Sequence, residues 1–191
     1  LVQDRMDDIP TTIFRPAIVV GDSETGETDK FDGPYFVLRA LQRLPQYTLM
    51  TRIGSGTEPV NLVPVDFVID AMTHLLTHDG HAGTVFHLTD PQPLTTQAIL
   101  DLFSGLLDKK VAYVPVPPSV ARTLMGTGVG RYLGIDPELV DYFDHPSRYD
   151  SSHTQAALDG TGISCPALSD YAPKMVDYMR RHADVRSEAM Y

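Results

Sequence analysis

Apolar residues follow two different rhythms along this chain. From Thr11 to Val20 they run almost unbroken, are rich in β-branched side chains, and stop at Gly21. Such a run suits a strand covered on both faces, as in a parallel sheet. Pro16 falls inside it, so the pattern predicts a strand over 11–15, a kink at Pro16 and an extended continuation. From Pro34 to Leu44 the spacing changes. Val37, Leu38, Leu41 and Leu44 recur at helical intervals, and Pro34 suits a first helical turn. Between the two lies the polar loop Gly21–Gly33, whose acids Asp22, Glu24, Glu27, Asp29 and Asp32 read as a solvated segment. A mobile cover over a substrate is the functional alternative for that loop.

Further on, Thr48–Arg52 reads as a short strand, Gly54-Ser55-Gly56 as a turn and Asn61–Val65 as extended chain. Val65–His78 is the clearest helix, with Phe67, Val68, Ala71, Met72, Leu75 and Leu76 on one stripe. Asp66 lies at its start, where a carboxylate caps free amides. Gly80 and Gly83 end the helix, Thr84–Leu88 reads as a short buried strand, and Asp90-Pro91 stops it. A strand reached from an earlier one through a helix is the parallel crossover unit. This connection is far longer than a crossover requires, so the excess is expected to form a binding lobe.

The remainder reads as mostly helical. Thr95–Leu107 has Thr95 or Thr96 as its cap. Val111–Val116 is extended and runs into Pro117-Pro118. Short helices are expected at Ser119–Met125, Pro137–Phe143 and Thr154–Leu158. Ser169–His182 is an amphipathic closing helix with Tyr171, Met175, Tyr178 and Met179 inward and Arg180 and Arg181 at its end. Residues 186–191 read as a tail.

Charge narrows the function classes. Fifteen basic side chains face 25 acidic ones, for a net charge of −10. That balance repels phosphate backbones and anionic membrane surfaces, so neither nucleic acid nor a membrane is an expected partner. No apolar run is long enough for a membrane span. The single cysteine, Cys165, excludes an internal disulfide and a cysteine-built zinc site. It is compatible with a reducing compartment, and a cytoplasmic location is the expectation. The chain opens on Leu1 rather than Met, which suggests a piece of something longer; a processed terminus is the alternative.

Four segments, in order, resemble the second half of an extended short-chain dehydrogenase/reductase. Ile13-Phe14-Arg15-Pro16-Ala17-Ile18-Val19-Val20-Gly21 is similar to that family's strand after its catalytic lysine. Asn61-Leu62-Val63-Pro64-Val65-Asp66-Phe67-Val68 is similar to the segment before the helix behind the substrate cleft. Gly83-Thr84-Val85-Phe86-His87-Leu88 resembles the last sheet strand, and Tyr149–Leu158 the segment before the closing helix. The Pro64-Val65-Asp66 wording leans toward thioester and fatty-acyl reductases.

The resemblance implies an α/β fold: the last parallel strands of a Rossmann-type sheet plus a mostly helical substrate-binding lobe. Residues 1–92 would end the sheet, with a lobe insertion at about 22–64; residues 93–185 would form the helical lobe. It implies NAD or NADP as cofactor, packed near Pro16, Ala17 and Ile18. It implies a substrate, a small molecule or acyl thioester, bordered by Gly21, Asp22, Ser23, Tyr35, Asn61 and Leu62. Two family features are absent: the glycine-rich pyrophosphate loop and the Tyr-x-x-x-Lys pair, in which lysine tunes the tyrosine for proton transfer. No catalytic residue is therefore assigned, and weak or no cofactor binding is expected of this piece alone. The reading is the substrate-binding portion of an NAD(P)-dependent oxidoreductase or epimerase. A non-catalytic NAD(P)-binding or regulatory module of the same fold is the alternative. A missing N-terminal half or a second copy is expected to cover Ile13, Ile18, Val85 and Phe86.

Other chemistry has less support. Gly126-Thr127-Gly128-Val129-Gly130 looks like a phosphate loop but follows a helix-like segment, and Arg131 stands where a dinucleotide loop needs glycine. His74 and His78 sit one helical turn apart, but the glutamate of a zincin helix is missing, so no metal is expected. Arg15 is expected to pair with Asp66 rather than to bind an anion. A hydrolase lacks its GxSxG elbow.

Overall fold

The computed structural model describes residues 2, 4, 6, 8–53, 56–78, 80–116, 123, 148–182 and 185. The apolar run at 13–20 becomes two strands in line, β1 (Ile13–Pro16) and β2 (Ile18–Val20), separated at Ala17. Helix α1 (Pro34–Arg43) starts on Pro34 and buries Tyr35, Leu38 and Leu41. Strand β3 (Tyr47–Ile53) follows, then β4 (Leu62–Pro64) and helix α2 (Val65–Thr77). After β5 (Val85–Leu88), helix α3 (Thr96–Leu106) begins on the Thr95 hydroxyl, which accepts from the Ala98 amide at 3.2 Å. Strand β6 (Lys110–Val116), helix α4 (Ser152–Leu158) and helix α5 (Leu168–Arg181) complete the described elements. The glycine cluster at 126–130, the helix read at 137–143, the tail at 186–191 and, apart from residue 123, the helix read at 119–125 lie outside the described residues, as do Gly54 and Ser55 of the turn.

Pairing is parallel in all three described ladders. Ile13 sits opposite Val85 and Phe14 opposite Phe86 in β1–β5. Ile18 sits opposite Leu62 in β2–β4, and Tyr47 opposite Lys110 in β3–β6. The crossover read from the sequence is therefore present: β1 and β5 are neighbours with the same direction. The β3–β6 ladder adds a contact that the pattern did not foresee. It joins the long insertion to a strand near the middle of the chain.

Alternation along β4 explains why its residues are all apolar. Leu62 enters a core with Val20, Tyr35, Leu38, Leu41, Phe103, Tyr171 and Met175. Val63 enters a second core with Phe67, Ala71, Leu75, Phe86 and Leu88. A strand with a core on each face has no polar side. The Tyr171 hydroxyl donates to the Leu62 carbonyl at 3.1 Å and fixes α5 against this strand.

Two expectations are corrected here. Phe86 is 1% exposed, packed on Phe14 with ring centres 5.9 Å apart, so this chain already covers it. Asp66 is not a helix cap. Pro64 occupies the cap position of α2, and no side chain caps it.

Phe86→Ala is expected to cost about 3–5 kcal/mol of unfolding free energy by urea titration. Leu76→Ala, on an outward face of α2 at 63% exposure, is expected to stay within about 0.5 kcal/mol.

Candidate functional site

At Ala17 the chain exchanges one sheet partner for another. The Ala17 amide donates to the Leu88 carbonyl at 3.0 Å, and the next amide, Ile18, donates to the Asn61 carbonyl at 3.2 Å. Pro16 precedes this exchange and has no amide of its own to satisfy. Asn61 locks the other side. Its Nδ2 donates to the Asp90 carbonyl at 2.7 Å, and its Oδ1 accepts from the Asp90 amide at 2.8 Å. The carboxyl ends of β1 and β5 and the start of β4 are thereby held together. In open parallel α/β sheets, ligands bind beyond the carboxyl ends of strands.

The loop after β2 is built on Asp22. Its Oδ1 accepts from the Glu24 amide at 2.9 Å, the Thr25 amide at 2.8 Å and the Thr25 hydroxyl at 3.0 Å. The Thr25 amide foremost, together with the Thr25 hydroxyl and the Glu24 amide, holds the Asp22 carboxyl below its ordinary 3.8, against a smaller opposing effect of burial. Ser23 then reaches α2. Its amide and hydroxyl donate to the two oxygens of Asp66 at 2.8 and 2.6 Å. The Asp66 carboxylate is thus occupied by Ser23, not by Arg15. Arg15 is exposed, and the expected ion pair between them does not form.

Tight backbone approach closes the loop. The Gly21 amide donates to the Tyr35 hydroxyl at 3.0 Å, in a buried setting. A methyl group at Gly21 would lie 2.6 Å from the Gly26 carbonyl. Gly26 has φ +76°, and a methyl there would collide with the Lys174 carbonyl on α5. Burial pushes the Tyr35 hydroxyl up to about 12, so it stays protonated at neutral pH.

The nine residues singled out from the sequence lie on or against the segment from Pro16 to Ser23, but they divide by role. Pro16, Ala17 and Ile18 form the exchange point. Asn61 and Leu62 tie β4 to the Asp90 backbone and to Tyr171. Gly21 and Tyr35 are buried against each other, and Asp22 and Ser23 shape the loop. The Ala17 and Ile18 amides are already paired, so a cofactor would meet the exposed Pro16 ring and the half-buried Ala17 and Ile18 side chains rather than those two donors. Sequence reading missed Asp90, which is 8% exposed. Burial pushes its carboxyl up, against a smaller pull from the Gln92 amide. Only the Asp90-Pro91 stop signal marked that position.

The histidines do other work. The rings of His74 and His78 stack at 3.9 Å, and His78 Nδ1 lies 2.8 Å from the His74 carbonyl. No metal-ligating cluster occurs among the described residues. Among them, no helix is long and apolar enough to cross a membrane.

Known proteins share parts of this sequence and this fold. Residues 1–72 match the family model NAD_binding_4, described as male sterility protein. The hybrid PKS-NRPS synthetase pynA of Aspergillus niger is 27% identical over 95% of this chain and 5% of its own length. The aldehyde reductase lnbA of Aspergillus flavus is 22% identical over 56% of this chain and 10% of its own. Among solved structures, the terminal R domain from the myxalamid PKS-NRPS biosynthetic pathway superposes with a TM-score of 0.68 at 23% identity. That match covers 96% of this chain and 47% of the solved one, so this chain spans about half of that domain and far less of the curated relatives.

Two outcomes test the loop. Asp22 has a lowered folded-state pKa, so its contribution is present above 3.8 and is lost as pH falls through the folded value. The protection factors of the Glu24 and Thr25 amides against hydrogen exchange are expected to be high at neutral pH and to fall on acidification below 3.8. Gly26→Ala is expected to destabilise the protein by about 3 kcal/mol in thermal or urea unfolding, through a strained φ and the Lys174 collision.

Proposed function

We propose that this chain, which is similar to the reductase-like branch of the short-chain dehydrogenase/reductase superfamily, is the substrate-side half of an NAD(P)-dependent reductase. The reaction is reduction of an acyl thioester or aldehyde carbonyl. The observation that carries this reading is the partner exchange at Ala17. It sets Pro16, Ala17 and Ile18 at the carboxyl end of a parallel strand, beside a loop held rigid by Asp22 and Ser23.

In this reading the chain's residues position rather than react. Pro16 and the Ala17 and Ile18 side chains offer the nicotinamide end of the cofactor a surface without free amide donors. The bound cofactor supplies the hydride. Gly21, Asp22 and Ser23 keep the loop at a fixed distance from α2 and border the substrate. The proton donor and the pyrophosphate-binding loop belong to a preceding half, which also pairs with the edge of β1 that has no partner strand among the described residues. Residues 22–64 and the segment after 93 form the substrate lobe, and the β3–β6 ladder and the shared core around Tyr35, Phe103 and Met175 support treating them as one unit.

The test uses the full-length protein. Ala17→Phe is expected to raise the Kd for NADPH at least tenfold, by cofactor fluorescence, with the melting temperature little changed. Hydride transfer to an acyl thioester or an aldehyde is expected of the unaltered protein. A full-length protein that neither binds NAD(P)H nor reduces either substrate would overturn the proposal. Binding without turnover would favour the non-catalytic module.

A further inference from the structure

Helix α2 is apolar over more of its circumference than its core contacts use. Phe67, Val68, Ala71 and Leu75 are buried. Ile69 is 57% exposed and Leu76 63% exposed, two turns apart on one stripe. The half-buried Val65 and Met72 fall on the same stripe, a turn to either side of Ile69. One exposed apolar side chain is ordinary on a protein surface. A run of them along a helix that already buries another face is the pattern of a helix with a second neighbour.

The strands beneath α2 show which way that stripe faces. The Ile13 and Ala17 amides of the β1 segment donate to the Thr84 and Leu88 carbonyls of the β5 segment. Alternate residues of a strand turn their backbone groups to opposite edges. The His87 carbonyl therefore lies on the outer edge of β5, where the Thr154 hydroxyl of α4 donates to it at 2.9 Å. Helix α4 thus closes that side. Phe14 turns its N–H and C=O to the other side, the edge of β1 that has no partner strand among the described residues. On α2, Phe67 shares a core cluster with Leu158 of α4. At about 100° per residue, Ile69 and Leu76 both lie roughly half a turn round from Phe67. They face away from α4, toward the side on which β1 is open.

We propose that the exposed flank of α2 is an interface, and that a helix of the half of the full-length protein preceding Leu1 packs on Ile69, Met72 and Leu76. This rests on the chain being the substrate-side half of a longer reductase, and it adds a second contact to the strand expected on β1. The amount of chain outside the structure suits the occupant. This chain superposes over 96% of its length on 47% of the solved R domain, so about as much chain again remains in that domain. The direction of the ladders suits a helix. All three described ladders are parallel, and parallel strands are joined by crossovers whose helices lie on the sheet faces. A body that extends the sheet past β1 therefore carries helices to the side where the α2 stripe is exposed. One docking event covers both the open edge and the apolar flank.

The test uses the full-length protein and reads no activity. Hydroxyl-radical labelling, corrected for intrinsic reactivity, is expected to modify Ile69 and Leu76 at least fivefold more slowly than Tyr47, which is 70% exposed on another ladder. A benzophenone side chain placed at Thr73, exposed beside the stripe, is expected on irradiation to cross-link to residues of the preceding half in the same polypeptide. A mixture of isotopically light and heavy protein is expected to give no light–heavy products. The near-neutrality of Leu76→Ala belongs to this chain by itself; in the full-length protein the substitution is expected to lower the melting temperature by about 3 °C or more. Light–heavy products, cross-links confined to residues 1–191, or labelling of Ile69 and Leu76 as fast as Tyr47 would each overturn the inference. A protein that binds NADPH while this flank labels freely overturns the inference alone. A covered flank in a protein that neither binds NAD(P)H nor reduces a carbonyl overturns the proposed reaction alone.

Discussion

Two consecutive amides, Ala17 and Ile18, donate to carbonyls on two different strands, Leu88 of β5 and Asn61 of β4. Most of the described architecture depends on this handover. It lets a single extended segment serve two ladders. It also places β4 where one side chain can face each core, Leu62 into one and Val63 into the other. Because Pro16 has no amide, the turn between partners leaves no orphaned donor at that residue. The Asn61–Asp90 pair then closes the third side with two short hydrogen bonds. Removing either amide acceptor would disturb both ladders at once, since they share the same few residues.

The loop at 21–33 is organised by the same economy of backbone groups. Asp22 satisfies two amides and a hydroxyl within the loop, Ser23 reaches the Asp66 carboxylate, and Tyr35 takes the Gly21 amide. An acidic, glycine-bearing stretch that looks solvated on composition is in fact pinned at its base to α2 and α5. Its acids divide accordingly. Asp22 faces inward to amides, and Lys30 pairs with Asp32 at 3.0 Å near the surface.

Much of this was legible from the amino acids. The unbroken apolar run, the proline break and the stripe from Phe67 to Leu75 are local signals, and they mark β1, β2 and α2 within a residue or two. The parallel direction of the strands at 13–16 and 85–88 followed from the helical connection between them, and their register did not. Partners remote in sequence were not legible. Asp66 stands where a capping carboxylate would, yet Pro64 takes the cap position and Ser23, from a distant loop, takes the carboxylate. The β3–β6 ladder was invisible because neither strand carries a strong alternating pattern.

All three ladders join residues that lie far apart along the backbone, Ile13 with Val85, Ile18 with Leu62 and Tyr47 with Lys110. None of them can nucleate from a hairpin. Large loops must close before the first inter-strand bond forms, and such topologies reach their native state slowly. During translation β1 leaves the ribosome long before β5 is synthesised, so the β1–β5 ladder closes late.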